Sequence, residues 1–369
     1  MHRATRMEVK LSNLAENYRA VRAHVGSRAD VIAVVKADAY GHGAIPASRA
    51  LVEAGCRRFA VAIPDEAFEL RDGGITEPIL VLGPSPERSV QEYVRQGITA
   101  TVTDRSFARA LNAEAIRQEK RAPVHVKVDT GMGRIGFLPE EIPEVLEELI
   151  ALKGLHIEGM YTHFACADEA RLDYTKHQFE GLKSALLAAE RVGIPIPLRH
   201  ACNSAGVLAC PDMYLDGVRP GVILYGMWPS EECPRPIGLL PTFEVKTEVA
   251  ALRTLPPESG IGYGLRYMTR GTEQIAVLPV GYADGYTRAL SMKVKVLIGG
   301  RRVPLAGNIC MDQAMANVTG MDVHVGDEVV LVGRQGDEAV TPEEIGALRG
   351  TINYEVPIAF SKRVPRVYI

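Results

Sequence analysis

Eight short runs of β-branched and aliphatic residues recur along the first two thirds of the chain, with helical patterns between them. They are Val31–Val35, Phe59–Ile63, Ile79–Gly83, Ile98–Thr103, Val124–Val128, Leu155–His163, Leu198–Asn203 and Asp216–Gly221. Apolar runs alternating with helices are the pattern of parallel strands covered on both faces. Eight such units in succession predict an α/β fold built on a (β/α)8 barrel, not an open sheet. The last two runs are weak as strands, and their assignment leans on the count.

A proline-dense stretch, Pro229–Pro241, reads as a linker. Beyond it the pattern changes to alternation by two between glycine turns, as in TFEVKTEVAAL and MKVKVLIGG. That predicts a mostly antiparallel β domain. The domains are expected at 1–235 and 236–369, with the first residues, up to about 10, able to pack with the β domain. Ser12 or Asn13 is expected to cap a helix through Tyr18 and Val21. The tail reads as one helix over Thr341–Arg349, with Pro342 in its first turn, and a final strand.

With 369 residues, 47% hydrophobic and 24% charged, the chain can bury a large core without disulfides or metals. A net charge of −3 and the lack of any basic run argue against nucleic acid as a partner. No segment reaches the roughly 18 apolar residues of a membrane span, and the start lacks a signal-peptide core. The six cysteines are scattered without metal-like spacing. They predict free thiols, a cytoplasmic location and no metal.

A barrel of this kind carries its chemistry at the C-terminal ends of its strands. Lys36 ends the first run. Behind four aliphatic residues its amine would be desolvated and nucleophilic, although a snorkelling lysine would look the same. Lys127 lies inside the fifth run at the parity of His125 and Asp129, so it needs a salt-bridge partner or a modification. His163 ends the sixth run, where a satisfied core histidine is the ordinary occupant. Asn203 and Ser204 follow the seventh run. Arg219, Gly221 and Val222 lie in and after the eighth, where such barrels commonly bind phosphate. A phosphate site beside a lysine at the mouth suggests pyridoxal phosphate held as a Schiff base.

The string VVKADAYGHGA around Lys36 resembles the cofactor-attachment signature of the alanine racemase family. The resemblance continues through KVDTGMGRIG, YTHFACAD, NSAG, VRPGVILYG, GYGLRY, VGYADG, GNICMDQ and TINYEVP. It implies an N-terminal barrel and a C-terminal β domain, with pyridoxal 5′-phosphate as cofactor and L- and D-alanine as substrates. The product would be D-alanine for peptidoglycan. Lys36 and Tyr263 would be the two opposed bases. Tyr40, Ser204, Gly221, Val222 and Tyr354 would hold the phosphate, with Asn203 beside them. Arg219 would face the pyridine nitrogen, and His163 would link it towards Tyr263. Arg134 would pair with the substrate carboxylate, positioned by Lys127 if that lysine is carbamylated. Tyr263, Tyr282, Met311 and Asp312 would come from the partner subunit of a homodimer. Tyr282 and Tyr354 would narrow the pocket.

Arginine at the pyridine nitrogen keeps its own proton. The ring then stays unprotonated and the substrate carbanion short-lived, which favours return of the proton over transamination. The alternatives are a broad-specificity or serine racemase, a barrel-type decarboxylase (which would need an acid in place of Arg219), and a non-enzymatic pyridoxal-phosphate carrier, which would lack the second domain.

Overall fold

A computed structural model describes residues 3–369. They fold as two compact units. One comprises Asn13–Ala39 and Ala44–Leu240. The other comprises the N-terminal segment up to Ser12, Tyr40–Gly43 and Pro241–Ile369.

Strand β1 (Arg6–Val9) belongs to the second unit. The first unit contains β2 (Asp30–Val34), β3 (Arg58–Val61), β4 (Ile79–Val81), β5 (Ala100–Val102), β6 (Ala122–Lys127), β7 (Leu155–Tyr161), β8 (Leu198–His200) and β9 (Gly217–Val218). They form one parallel sheet in the order β4-β3-β2-β9-β8-β7-β6-β5. Its two edges meet at a parallel bridge between Leu80 and Thr99. There the Val81 N–H donates to the Thr99 carbonyl at 3.0 Å and the Thr99 N–H to the Ile79 carbonyl at 2.9 Å. The ring of eight therefore closes, as the alternating runs predict. The weak seventh and eighth runs become the short strands β8 and β9, and hydrogen bonds continue past their ends, from Arg219 N–H to the Cys202 carbonyl at 2.9 Å and from Val34 N–H to the Pro220 carbonyl at 3.0 Å.

The outer helices follow from local pattern. In Arg105–Arg117 the buried residues Phe107, Ala108, Leu111 and Ala115 recur at helical spacing. Asp104 starts the helix by accepting the Phe107 N–H at 2.8 Å. Burying Phe107 and Leu111 contributes about 1.5–3 kcal/mol each.

The segment after β2 departs from ordinary geometry. Residues Ala37, Asp38, Ala39 and Tyr40 have φ of 53°, 53°, 52° and 54°, so the helical segment Lys36–Gly41 winds left-handed through four residues, none of them glycine. Each such residue costs about 1–2 kcal/mol relative to the right-handed form. A run of four persists only where surrounding contacts fix it, and strain of this kind concentrates at functional sites.

In the second unit β1 pairs antiparallel with β10 (Phe243–Glu248) and parallel with the closing strand Arg366–Tyr368. The same sheet includes Glu328–Gln335, Lys295–Ile298 and Arg301–Pro304, and a second antiparallel sheet joins Ala251–Leu255, Glu273–Leu278 and Ala314–Asn317. Two details differ from expectation. The first helix begins at Leu11, ahead of Ser12. The tail carries a second short helix, Glu355–Ala359, after Pro342–Arg349 closes at Gly350 with φ 74°. Five residues are too few to display a helical period. Among the described residues no helix is long and apolar enough to cross a membrane.

Candidate active site

Lys36 follows directly on the buried Val31–Val35 run. It lines a cavity of about 320 Å³ with Ala62, Leu82, Lys127, Arg134, Tyr161 and His163. Residues from five different strand ends thus converge there, as expected for a barrel mouth. Burial holds the Lys36 amine below the usual lysine range, Arg134 lowers it further and Glu66 opposes them. A larger neutral fraction makes the amine a better nucleophile and proton acceptor.

Lys127 is buried inside β6, with Nζ donating to the Val128 carbonyl at 2.6 Å and lying 5.7 Å from the centre of the Tyr161 ring. Burial brings its amine down to about 8; Asp129 opposes the shift, and Arg219 and Arg134 add to it. Asp129 also organises the loop that follows. One carboxylate oxygen accepts the N–H groups of Gly131, Met132 and Gly133 at 2.9–3.1 Å, and the other accepts that of Arg134 at 3.0 Å. Those bonds fix the backbone that presents Arg134.

Arg219, 2% exposed, lies behind His163, which lines the cavity. Its guanidinium donates to His200 Nδ1 at 2.5 Å and to the carbonyls of Thr162 and Ala201 at 2.7 and 2.8 Å. It approaches His163 Nδ1 at 3.4 Å. Burial draws Arg219 down only to about 10, so it stays charged at neutral pH. His163 and His200 are held well below the usual histidine range, first by burial and then by the Arg219 charge. The Arg219–His163 pair therefore carries one positive charge, on the arginine. His200 Nε2 lies 2.8 Å from His125 Nδ1, and His125 Nε2 faces Glu158 at 3.7 Å. The Tyr161 ring stacks on His200 with centroids 4.7 Å apart. Among the described residues, Arg219 Nε is buried and lacks an acceptor. Leaving such a donor unpaired costs about 1–3 kcal/mol or more.

At the last two strand ends, Asn203 caps Ser204–Ala209, its side-chain oxygen accepting the Gly206 N–H at 3.0 Å. The Gly221 N–H donates to Ser204 Oγ at 2.8 Å, and Val222 opens the turn Val222–Tyr225. Ser204 keeps its hydroxyl hydrogen for another acceptor.

In the second unit, Tyr40 and Tyr354 lie close enough that Tyr354 helps burial hold the Tyr40 phenol above its usual range. Tyr263 stands 71% exposed between Gly262 and Gly264, both at positive φ. Its carbonyl accepts from Asn308 Nδ2 at 2.7 Å. The same loop continues to Cys310 and Met311, whose carbonyls accept the N–H groups of Tyr282 and Ala283 at 3.0 Å each. Gly281 permits that approach, because a β-carbon there would sit 2.3–2.5 Å from the Cys310 and Met311 backbone. Arg363 pairs with Asp312 at 2.7 Å and with Asp284 at 3.2 Å. The structure thus gathers Tyr263, Tyr282, Met311 and Asp312 into one exposed cluster.

The sequence reading overlooked Glu66, Tyr161 and His200. Tyr161 and His200 had a usable signal, since a phenol and an imidazole within barrel strands need partners. Glu66 offered none beyond a place near a helix start.

The chain matches the family model for the N-terminal domain of alanine racemase over residues 9–229 and that for the C-terminal domain over residues 242–368. It is 44% identical to the alanine racemase of Halothermothrix orenii over 99% of this chain and 97% of the relative. It is likewise 44% identical to that of Methanococcus maripaludis, over 98% of each. The solved alanine racemase of Clostridium difficile 630 superposes with a TM-score of 0.95 at 41% identity, covering 100% of this chain and 96% of that one. That of Bacillus anthracis with bound L-Ala-P superposes with a TM-score of 0.95 at 37% identity, over 100% and 96%. A barrel mouth with a desolvated lysine, on a chain matched end to end in this way, leaves one assignment: the chain belongs to the alanine racemase family.

Proposed function

We propose that the protein interconverts L- and D-alanine with pyridoxal 5′-phosphate, as a homodimer whose sites take residues from both copies. The observation that carries this reading is the buried Arg219 Nε without an acceptor, on a guanidinium that reaches His163, a residue lining the Lys36 cavity. An unprotonated pyridine nitrogen is an acceptor that suits it, so the residues present fit the cofactor. An acid at this position would instead protonate the ring, as decarboxylases of this fold require.

When bound, pyridoxal phosphate supplies an electron-withdrawing imine that acidifies the substrate Cα–H. Lys36 would hold the cofactor through its amine and would take up or return the Cα proton on the D-alanine face. Tyr263 of the second copy handles it on the L-alanine face. Each base is the acid in the reverse direction. Arg219 would donate to the pyridine nitrogen and, keeping its own proton, would leave that nitrogen unprotonated, which favours proton return over transamination. Its charge, passed towards neutral His163, favours the phenolate of Tyr263. Arg134 pairs with the substrate carboxylate. The Lys127 amine, near 8, has the neutral fraction that reaction with carbon dioxide requires, and the carbamate would steady Arg134. In the barrel unit Ser204, Gly221 and Val222, with Asn203 beside them, would hold the phosphate; in the second unit Tyr40 and Tyr354 would offer it their hydroxyls. Met311 and Asp312 complete the substrate side, and Tyr282 and Tyr354 limit the space to a methyl group.

The exposed cluster around Tyr263 supports a second copy as its cover. The six cysteines, all free among the described residues, suit a reducing compartment, and we place the enzyme in the cytoplasm supplying D-alanine to peptidoglycan. Incubating the cofactor-loaded protein with L-alanine in deuterium oxide tests the reading. It predicts D-alanine carrying one deuterium at Cα; alanine recovered without inversion refutes it.

A further inference from the structure

Glu66 stands in the first turn of the helix Pro64–Asp72, where it closes a capping box by accepting the Ala62 and Ile63 N–H groups through Oε2 at 2.8 and 3.2 Å. A cap needs nothing more. Its other oxygen, Oε1, reaches out of that helix and accepts the N–H of Ala37 at 2.6 Å. Ala37 follows Lys36 and is the first residue of the left-handed turn. One carboxylate therefore ties the segment after β3 to the strained segment after β2, and both segments line the cavity through Ala62 and Lys36.

The left-handed turn has few internal means of holding itself. Its residues are alanine, aspartate, alanine and tyrosine, none of which prefers positive φ as glycine does. At its far side Asp38 Oδ1 accepts the Ala44 N–H at 2.6 Å. At its near side the Ala37 amide would be an orphan without Glu66. The direction of the Lys36 side chain depends on the backbone at that junction.

We infer that Glu66 is a positioning residue for Lys36: its bidentate carboxylate holds the first amide of the left-handed turn and so aims the lysine amine into the cavity. This rests on the reading of Lys36 as the imine-forming base. The negative charge also favours the protonated amine, against burial and Arg134. Glutamine cannot replace the carboxylate, because it has one acceptor oxygen for two sets of amides. Aspartate keeps the charge and a helix cap but is too short to serve both sides.

The test uses apoprotein refilled with pyridoxal phosphate, following the imine absorbance band over a range of pH. For Glu66→Gln the band should form on the order of tenfold more slowly. Its pH limb should move to lower pH, since removing an anion makes the Lys36 amine more acidic. Glu66→Asp should show the slower formation without the displaced limb. In turnover, both variants should enlarge the primary isotope effect from D-[2-2H]alanine relative to that from L-[2-2H]alanine, because the Lys36 proton step becomes limiting. A folded Glu66→Asp protein with parental band kinetics and isotope effects overturns the inference, and so does an unmoved limb in Glu66→Gln. If the parental protein itself forms no band, the reading of Lys36 fails instead.

Discussion

The barrel mouth around Lys36 and the exposed cluster around Tyr263 are built on opposite principles. Lys36 is desolvated, faces Arg134 and Glu66, and extends from a strained turn tied down on either side. Its reactivity is made by its own unit. Tyr263 is 71% exposed at a hairpin tip, with its backbone anchored by Asn308 and its ring projected outward. A phenol open to water is a poor general base. It becomes useful only when something covers it and brings a cation. The difference teaches that folding alone preorganises Lys36 and leaves Tyr263 exposed; in the proposed reading, assembly with a second copy completes the other base.

The largest effect should come from the preorganised side. Lys36→Ala should abolish the imine band and lower racemisation at least ~10⁴-fold. A variant that stays yellow and active would remove Lys36 from the chemistry. Tyr263→Phe should lower turnover about 10³-fold while cofactor uptake is unchanged. Absorbance and chiral chromatography together check that split. If cofactor uptake fell as well, Tyr263 would be part of the folded barrel site and the contrast between the two regions would break.

Two smaller effects sharpen the account of the barrel side. Lys127 sits near 8 when folded, below its ordinary value of about 10.4. Between those values the unfolded chain binds more protons, so stability rises with pH across that window. Lys127→Met removes the burial penalty. In carbonate-free buffer at pH 7 it should therefore stabilise the fold by on the order of 3 kcal/mol, with the gain fading towards pH 10.5. Thermal melts at several pH values check this, and a gain independent of pH contradicts it. Asp129→Asn loosens the loop that presents Arg134 and should raise KM for alanine about three- to tenfold with a smaller change in kcat. An effect on kcat alone would mean that the loop does not serve substrate binding.

Much of the barrel was legible because eight buried strands leave a pattern that helices and loops cannot imitate. Lys36 and Arg219 stood out as charges at the ends of apolar runs, and Arg134 through the family resemblance. The left-handed turn did not. Positive φ normally announces itself through glycine, and Ala37–Tyr40 contains none. It is imposed by tertiary bonds, one of them from Glu66, about thirty positions away, which no local pattern records. The His200–His125–Glu158 chain was hidden for the same reason, because its members come from three strands. The short helix Glu355–Ala359 lay below the length at which periodicity is readable.

Complementation between two inactive variants tests the contrast most directly. Lys36→Ala and Tyr263→Phe chains are co-expressed in one cell and purified together. If Tyr263 serves the lysine of another copy, each mixed dimer holds one intact pair, and random pairing restores about one quarter of the parental activity. A mixture no more active than its two components would contradict the account.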